Sequence, residues 1–400
     1  MFVIDGLLKR VGVLYAIQFA LDAMRLQATT KWYTFDDSPV RGNFLTDPIP
    51  RFSDFHQILM YSNSSDPYTF AASGYPPFGN LVLSPFSLID PNASLMLFLG
   101  ITLSGLLALL FSAAHVDESS DTPLKRVGLL IFIFPVVFAV ERGNLDLLIA
   151  LLLGMAVLLH ERGWRIFPAI LVGTAIAIKI YPVLILLYFL HKKHRLRFVA
   201  IASVTAASLT GFALYVYGLF SLEGVQVIVG KLFPSVNGTQ PDFLGSWSTS
   251  IAGLDVALRT ATSGLENILP LDNLLRVIPI VLTVVIVAAL ACVVIFSRKS
   301  IDILAMCVFA MMLLPAVSFH YKAALLLLPI VLMLERGEAH FFSNTKVLWT
   351  YVIAIGPCVW WFFGEGKANV SSIITPISLI ALSLVVVWRT LDQRISPKND

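Results

Sequence analysis

The stretch IFPAILVGTAIAIKIYPVLILLYFLHKKHRLR, residues 166–197, decides the fold. Its first 25 residues are apolar apart from a polar interruption that begins at Lys179, and basic loops lie on both sides of them. Short loops rich in Lys and Arg mark the cytoplasmic side of a membrane, so one continuous helix would place basic loops on opposite sides. A break at Lys179–Pro182 turns the segment into a hairpin of two short helices and removes this conflict.

Composition places the whole chain in the membrane class. Of the 400 residues, 57% are hydrophobic and only 13% are charged, with a mean hydropathy of +0.82. Soluble domains are roughly a quarter charged. Apolar segments in a bilayer must form helices, because no water is present to hydrogen-bond the backbone N–H and C=O groups. The net charge of +3 is too small to indicate a nucleic-acid partner, and membrane lipids are the expected surroundings.

The same pattern predicts an all-α polytopic protein in which residues 1–400 form a single unit. Loops rich in Lys and Arg place both termini in the cytoplasm. The apolar segments between them give about 12 membrane spans, including late spans at about 347–363 and 370–388. The first span, at about 8–27, is expected to stay in the protein and not to be cleaved as a signal peptide. Residues 28–92 and 220–273 become two long outer loops. We expect a multi-pass protein of a bacterial inner or plasma membrane.

Several predicted elements are too short to cross a bilayer. The segment PPFGNLVLSPFSLI, residues 76–89, is expected to be an interfacial or re-entrant helix. Residues 127–140 would rise only about 20 Å through a hydrocarbon layer about 30 Å thick before the chain turns at Glu141–Asn144. Polar hairpin tips should therefore lie in a recess below the outer surface.

Four polar groups converge on the outer side of this topology. They are Asp54; Arg142 and Asn144; Lys179 and Tyr181; and the run His320, Tyr321 and Lys322. An ionised group at bilayer depth costs about 2.5–3.5 kcal/mol on insertion scales. Charged residues at such positions therefore usually have a function or an interacting partner. One acid beside several cations suits an anionic lipid headgroup, and the carboxylate could accept a proton from a hydroxyl.

Each group also has a purely structural explanation. Asp54 could cap a helix, and Asn144 and Asp146 could cap the helix that follows them. Long cations such as Lys179 often extend from helix ends toward the interface. Aromatic residues such as Tyr321 are common in the interfacial belt. The predicted site therefore depends on the shared position of these groups.

Five short segments follow one another along the chain: Asp54-Phe55, Asp66-Pro67-Tyr68, Tyr75-Pro76-Pro77, Arg142-Gly143-Asn144-Leu145-Asp146 and Ala177-Ile178-Lys179-Ile180-Tyr181-Pro182. Their order and spacing resemble the GT-C glycosyltransferases, specifically the polyprenyl-phosphate-mannose-dependent family, glycosyltransferase family 87. The resemblance covers residues 54–190 most closely and becomes looser beyond them, where Gly245–Ile251 only approximates the second-loop motif.

This resemblance implies an inverting transfer of a hexose, mannose in that family, from a polyprenyl-phosphate donor to a lipid or glycan acceptor outside the cytoplasm. Asp54 would be the catalytic base. The donor phosphate would contact Arg142, Lys179, His320 and Lys322, and the substrate pocket would include Tyr75, Asn144, Tyr181, Tyr321 and Trp247. No cofactor or metal is expected; Asp36, Asp37 and Asp47 are the acids that could hold a divalent cation.

Other functions fit parts of the pattern. Broken helices with buried charge also occur in secondary transporters, so a transporter or lipid-linked-sugar flippase is the main alternative. An O-antigen-polymerase-like enzyme would use diphosphate-linked sugars, and a non-catalytic scaffold would need none of these groups. The sequence does not identify the sugar, the acceptor or the length of the carrier lipid.

Overall fold

A computed structural model describes thirteen parts of the chain. They are residues 6–14, 16, 52–65, 67–68, 73–114, 128–192, 194–232, 248–262, 272–315, 318–336, 344–355, 362–363 and 368–395. The predicted first helix at 8–27 therefore lies mostly outside the described residues.

The described elements are helical apart from one short pair of strands. The α-helices are α1 at 6–14, α2 Ser53–Ser62, α3 Pro77–Leu81, α4 Pro91–Ala113, α5 Phe134–Arg142, α6 Asp146–Glu161, α7 Phe167–Ile178, α8 Leu186–Leu190, α9 Arg195–Val216, α10 Leu222–Leu232, α11 Ile251–Thr262, α12 Asp272–Phe296, α13 Ser300–Leu313, α14 Leu327–Arg336, α15 Thr345–Ile355 and α16 Ser371–Ile395. Short 3-10 helices cover Ser84–Leu88, Leu129–Phe132, Tyr181–Ile185 and His320–Leu326. Strands β1 Phe362–Phe363 and β2 Ala368–Asn369 pair in antiparallel register.

Four described segments are long and apolar enough to cross a membrane: α4, α9, residues 277–296 of α12, and α16. Shorter apolar helices accompany them, including α7, α13 and α15. Many apolar side chains of α9 and α12 are exposed on the protein surface. In a bilayer such side chains contact lipid tails, which are equally apolar, so nothing drives them into the protein interior. The chain is therefore a membrane protein, with the four long helices as its candidate spans.

The most buried element is α13. All 14 of its residues are buried, and it packs against α12, α14, α16 and the 3-10 turn that begins at Tyr181. A helix of this length rises about 21 Å, less than the hydrocarbon thickness. The interior is thus built from short helices, which leaves room at their ends for a polar site.

The predicted break in the 166–190 segment is confirmed. Helix α7 ends at Ile178, Lys179 is extended (φ −145°, ψ 145°), and a 3-10 turn begins at Tyr181. Pro182 contributes to this break because it has no N–H to donate to a helix and restricts the residue before it.

The predicted late span at 347–363 is wrong in its bounds. Helix α15 ends at Ile355, and Phe362 and Phe363 belong to β1. The sequence reason is the pair Gly356-Pro357 directly after the helix, since both residue types disfavour continued helix.

Candidate functional site

The acid Asp54 lies in the first turn of α2, beside the tip of the α5–α6 hairpin. The backbone N–H of Phe52, a residue in the left-handed region (φ 57°), donates to the Glu141 carbonyl over 2.6 Å and fixes the start of α2 there. Asp54 Oδ1 accepts a hydrogen bond from Arg142 Nη2 at 2.6 Å, and its Oδ2 accepts one from Asn144 Nδ2 at 2.6 Å. The Asp54 side chain keeps 12% of its surface exposed.

Gly143 allows these two contacts to form. It ends α5 in the left-handed region (φ 61°), which glycine adopts without strain. A Cβ added at Gly143 would lie 2.6 Å from the Cβ of Phe55, a distance that real side chains do not show. The glycine therefore brings the hairpin tip against α2, with Arg142 on one side of Asp54 and Asn144 on the other.

Lys179 continues this network from the break after α7. Its Nζ donates to Asn144 Oδ1 at 3.2 Å and to Asp146 Oδ2 at 2.8 Å. Asp146 Oδ1 also accepts a hydrogen bond from the hydroxyl of Tyr181. Asn144 thus contacts both Asp54 and Lys179, so one polar network joins residues of α2, the α5–α6 hairpin and the α7 break.

Aromatic rings surround the cations of this network. Lys179 Nζ lies 5.1 Å from the ring centre of Tyr75 and 5.6 Å from that of Tyr321, and Lys322 Nζ lies 4.2 Å from that of Tyr181. Cations at such distances are attracted by the ring quadrupole. Burial, with the negative charges of Asp54 and Asp146, raises the pKa of Tyr75 well above its usual value. Tyr75 is therefore a neutral phenol beside the site.

The first loop is built to hold Tyr75. The hydroxyl of Tyr68, which is fully buried, donates to the Tyr75 carbonyl at 2.8 Å, and the Tyr75 N–H donates to Ser73 Oγ at 3.1 Å. Gly79 lets α3 touch the end of α7, because a Cβ there would lie 2.4 Å from the carbonyl oxygen of Ile178. This contact holds the first loop against Ile178, the residue before Lys179.

The second loop is tied to the turn that carries Tyr321 and Lys322. The Thr249 N–H donates to the Ser318 carbonyl at 2.6 Å, and the Thr249 and Ser318 hydroxyls lie 2.9 Å apart. Ser248 Oγ also donates to the Ser318 carbonyl, at 3.0 Å. These residues are buried, so the middle of the second loop is fixed against the turn that carries Tyr321 and Lys322.

The structure brings together Asp54, Arg142, Asn144, Lys179, Tyr181, Tyr75, Tyr321 and Lys322. The Nε2 of the predicted site residue His320 lies 3.1 Å from Thr375 Oγ1 in α16. The predicted pocket residue Trp247 lies outside the described residues, as do Asp66 of the loop motif and the possible metal ligands Asp36, Asp37 and Asp47.

The expectation of a single acid among cations is wrong, since Asp146 is a second one. Its side chain is fully buried and contacts both Lys179 and Tyr181. The signal in the sequence is an acid two residues after Asn144, a position that equally suits a helix cap. The N-cap residue, Leu145, makes no side-chain cap hydrogen bond; Asn144 Oδ1 accepts the Asp146 N–H at 2.9 Å, which forms an Asx turn before the helix. Within the described residues, no group of three or more His, Cys, Asp or Glu side chains could hold a metal ion.

Comparison with known proteins identifies the family. The sequence model described as Glycosyltransferase family 87 matches residues 74–329, which is more than half of the 400 residues. Among curated proteins, none matches the chain. The matched range includes Arg142, Asn144, Asp146, Lys179 and the 318–322 turn, while Asp54 precedes it. The chain therefore belongs to glycosyltransferase family 87.

Proposed function

We propose that this glycosyltransferase moves a hexose, specifically mannose, from a polyprenyl-phosphate donor to a hydroxyl of a glycolipid or envelope glycan. The reaction would take place on the extracytoplasmic face of a bacterial inner or plasma membrane, with both termini in the cytoplasm. The observation that carries the proposal is an accessible carboxylate, Asp54, held in one hydrogen-bonded network with the cations Arg142 and Lys179.

Asp54 is the better base of the two acids in the network. A general base must reach the proton that it removes. Asp54 is 12% exposed, whereas Asp146 has no exposed side-chain surface. An ionised carboxylate has about four acceptor positions, and the contacts from Arg142 and Asn144 use two of those of Asp54. Acceptor positions therefore remain for a substrate hydroxyl.

The transfer balances without an additional reactant. Asp54 takes the proton of the acceptor hydroxyl while the acceptor oxygen forms a bond to the anomeric carbon of the sugar. The bond between that carbon and the donor phosphate oxygen breaks, and its electron pair leaves with the polyprenyl phosphate. Attack opposite to the leaving group inverts the anomeric configuration.

Lys179 would bind the leaving phosphate. Two of its three N–H groups donate to Asn144 and Asp146, and the third can donate to a phosphate oxygen. Arg142 adds positive charge nearby. Burial lowers the pKa of Lys322 to about 7, so Lys322 carries its charge in only part of the molecules at neutral pH. Prearranged charge at an oxygen that becomes more anionic is usually the largest contribution to the rate. His320, whose Nε2 lies 3.1 Å from Thr375 Oγ1, is the remaining candidate contact to phosphate.

The test uses the purified full chain in lipid nanodiscs with radiolabelled polyprenyl-phosphate mannose and a lipid extract as acceptor. The proposal predicts transfer of label to the extract, release of polyprenyl phosphate and inversion at the anomeric carbon. Movement of intact donor between leaflets without a new glycosidic bond would instead establish a flippase, and retention of configuration would remove Asp54 as a simple base.

A further inference from the structure

We propose that Asp146 is a positioning residue that holds Lys179 and Tyr181 in the arrangement needed for transfer, without touching the substrates itself. The inference rests on the proposed transfer reaction and assigns a role to an acid that the reaction does not use directly. Its basis is the set of contacts that Asp146 makes from the first turn of α6.

The surroundings of Asp146 exclude a direct role. Its side chain has no exposed surface, and each carboxylate oxygen accepts a hydrogen bond from a different residue of the α7 break. The two donors, Lys179 and Tyr181, lie two positions apart in the chain. One carboxylate therefore fixes both sides of the break, where the backbone has left the α-helix.

Tyr181 extends this effect to a second lysine, Lys322. Its hydroxyl donates to Asp146, and Lys322 Nζ lies 4.2 Å from the centre of its ring. The orientation of the ring thus depends on Asp146, and the ring in turn faces Lys322. Removing the carboxylate would release Lys179 directly and Lys322 through Tyr181.

A pure charge effect and a positioning role make opposite predictions for the transfer rate of a variant that lacks the Asp146 charge. Loss of the Asp146 charge leaves Lys179 without its 2.8 Å counterion, which strengthens the attraction of the site for a phosphate anion. If charge balance were the only role of Asp146, a neutral variant would bind donor more tightly and transfer at least as fast. If Asp146 positions the cations, the same variant transfers more slowly although its donor binding is not weakened.

The experiment measures kcat and the donor KM of Asp146→Asn, which keeps the size of the side chain. We expect kcat to fall by about 10- to 100-fold, because misplaced groups lose rate steeply, and the donor KM to stay at or below the wild-type value. Tyr181→Phe keeps the ring but removes one hydrogen bond to Asp146, and it should lower kcat in the same direction by a smaller factor.

Glu161→Gln is the matched control. Glu161 ends the same helix and likewise accepts hydrogen bonds from a lysine and a tyrosine, Lys192 and Tyr188. The control should lower the melting temperature but keep the wild-type kcat per folded molecule. An equal loss of kcat in Asp146→Asn and Glu161→Gln would show general destabilisation and overturn the proposal.

The remaining outcomes also decide the matter. A wild-type kcat in folded Asp146→Asn overturns the proposal; should that variant fail to fold, a wild-type kcat in Tyr181→Phe overturns it. If the wild-type protein and Asp54→Asn behave as the transfer reaction predicts while Asp146→Asn is fully active, only the positioning role fails. If the wild-type protein transfers no sugar, the proposed function fails and this inference fails with it.

Discussion

The two ends of α6 carry similar chemistry but have different surroundings. Asp146 at its start accepts hydrogen bonds from Lys179 and Tyr181, and Glu161 at its end accepts them from Lys192 and Tyr188. A positive-φ glycine adjoins each end, Gly143 before the helix and Gly163 after it. The two acids are about 22 Å apart along the helix axis.

The difference lies in what accompanies each acid. At the Glu161 end, Arg336 binds Glu161 through two nitrogens, and Arg162 binds both oxygens of Glu335 at 3.0 Å. Such paired contacts favour a closed ionic cluster. Glu161 and Asp54 have the same exposed fraction, 12%. Of the about four acceptor positions of a carboxylate, the four hydrogen bonds to Glu161 use all, whereas Asp54, next to the Asp146 end, accepts two. An acid–lysine–tyrosine group is therefore not a site by itself; an adjacent carboxylate with unused acceptor positions makes it one.

The largest expected effect is that of Asp54→Asn. The amide keeps the shape of the side chain but cannot take a proton, so kcat should fall on the order of 10²–10⁴-fold. Radiolabel transfer under saturating donor measures this loss, and donor binding to the same preparation should be nearly unchanged. Full activity in this variant would show that Asp54 is not the base, and the Asp146 end of α6 would then have no catalytic acid beside it.

Lys179→Ala and Lys192→Ala sharpen the comparison, because each lysine contacts the acid at its own end of α6. Lys179→Ala should lower kcat/KM for the sugar donor by about 100-fold, because the leaving phosphate oxygen loses a positively charged hydrogen-bonding group. Lys192→Ala should lower the melting temperature and leave the donor KM unchanged. Donor titrations at fixed acceptor separate the two results, and equal losses of donor use would contradict a phosphate role specific to Lys179.

The kcat values of Gly143→Ala and Gly163→Ala should differ by less than the donor kcat/KM values of the two lysine variants. Both replacements place a side chain at positive φ, which costs about 1–2 kcal/mol. Only the Cβ at position 143 meets another residue, Phe55, whereas nothing lies within 4 Å of a Cβ at position 163. We expect Gly143→Ala to lower kcat by about tenfold because Asp54 shifts relative to Arg142 and Asn144. The melting temperature of Gly163→Ala reports the shared strain, and an equal loss of kcat there would count against this explanation.

Much of the site could be predicted from the sequence because its polar residues interrupt apolar segments. Lys179 and Tyr181 fall at a break that the charge pattern of the loops requires, and Arg142 and Asn144 fall at a hairpin tip. Asp54 followed from its isolation in the first loop together with the family resemblance. Their meeting in one network agrees with the shared position that the topology predicted.

The parts that were missed depend on side-chain direction and on contacts between distant segments. The acid Asp146 could equally cap α6 or turn toward the α7 break, and the spacing of the motif does not distinguish these. Thr249 and Ser318 are 69 positions apart and share only small hydroxyl groups, which carry no pairing signal in one sequence. Likewise, the direction of His320 toward Thr375 depends on the packing of α16.

The most direct test of the account is the position of a bound donor in an electron cryo-microscopy structure of the full chain in nanodiscs. The probe is a non-transferable polyprenyl-phosphonate analogue of the sugar donor. We predict density for its phosphonate beside Lys179, with the sugar between that group and Asp54. Density at the Glu161 end of α6, or at a place remote from both Asp54 and Lys179, would contradict the central claim.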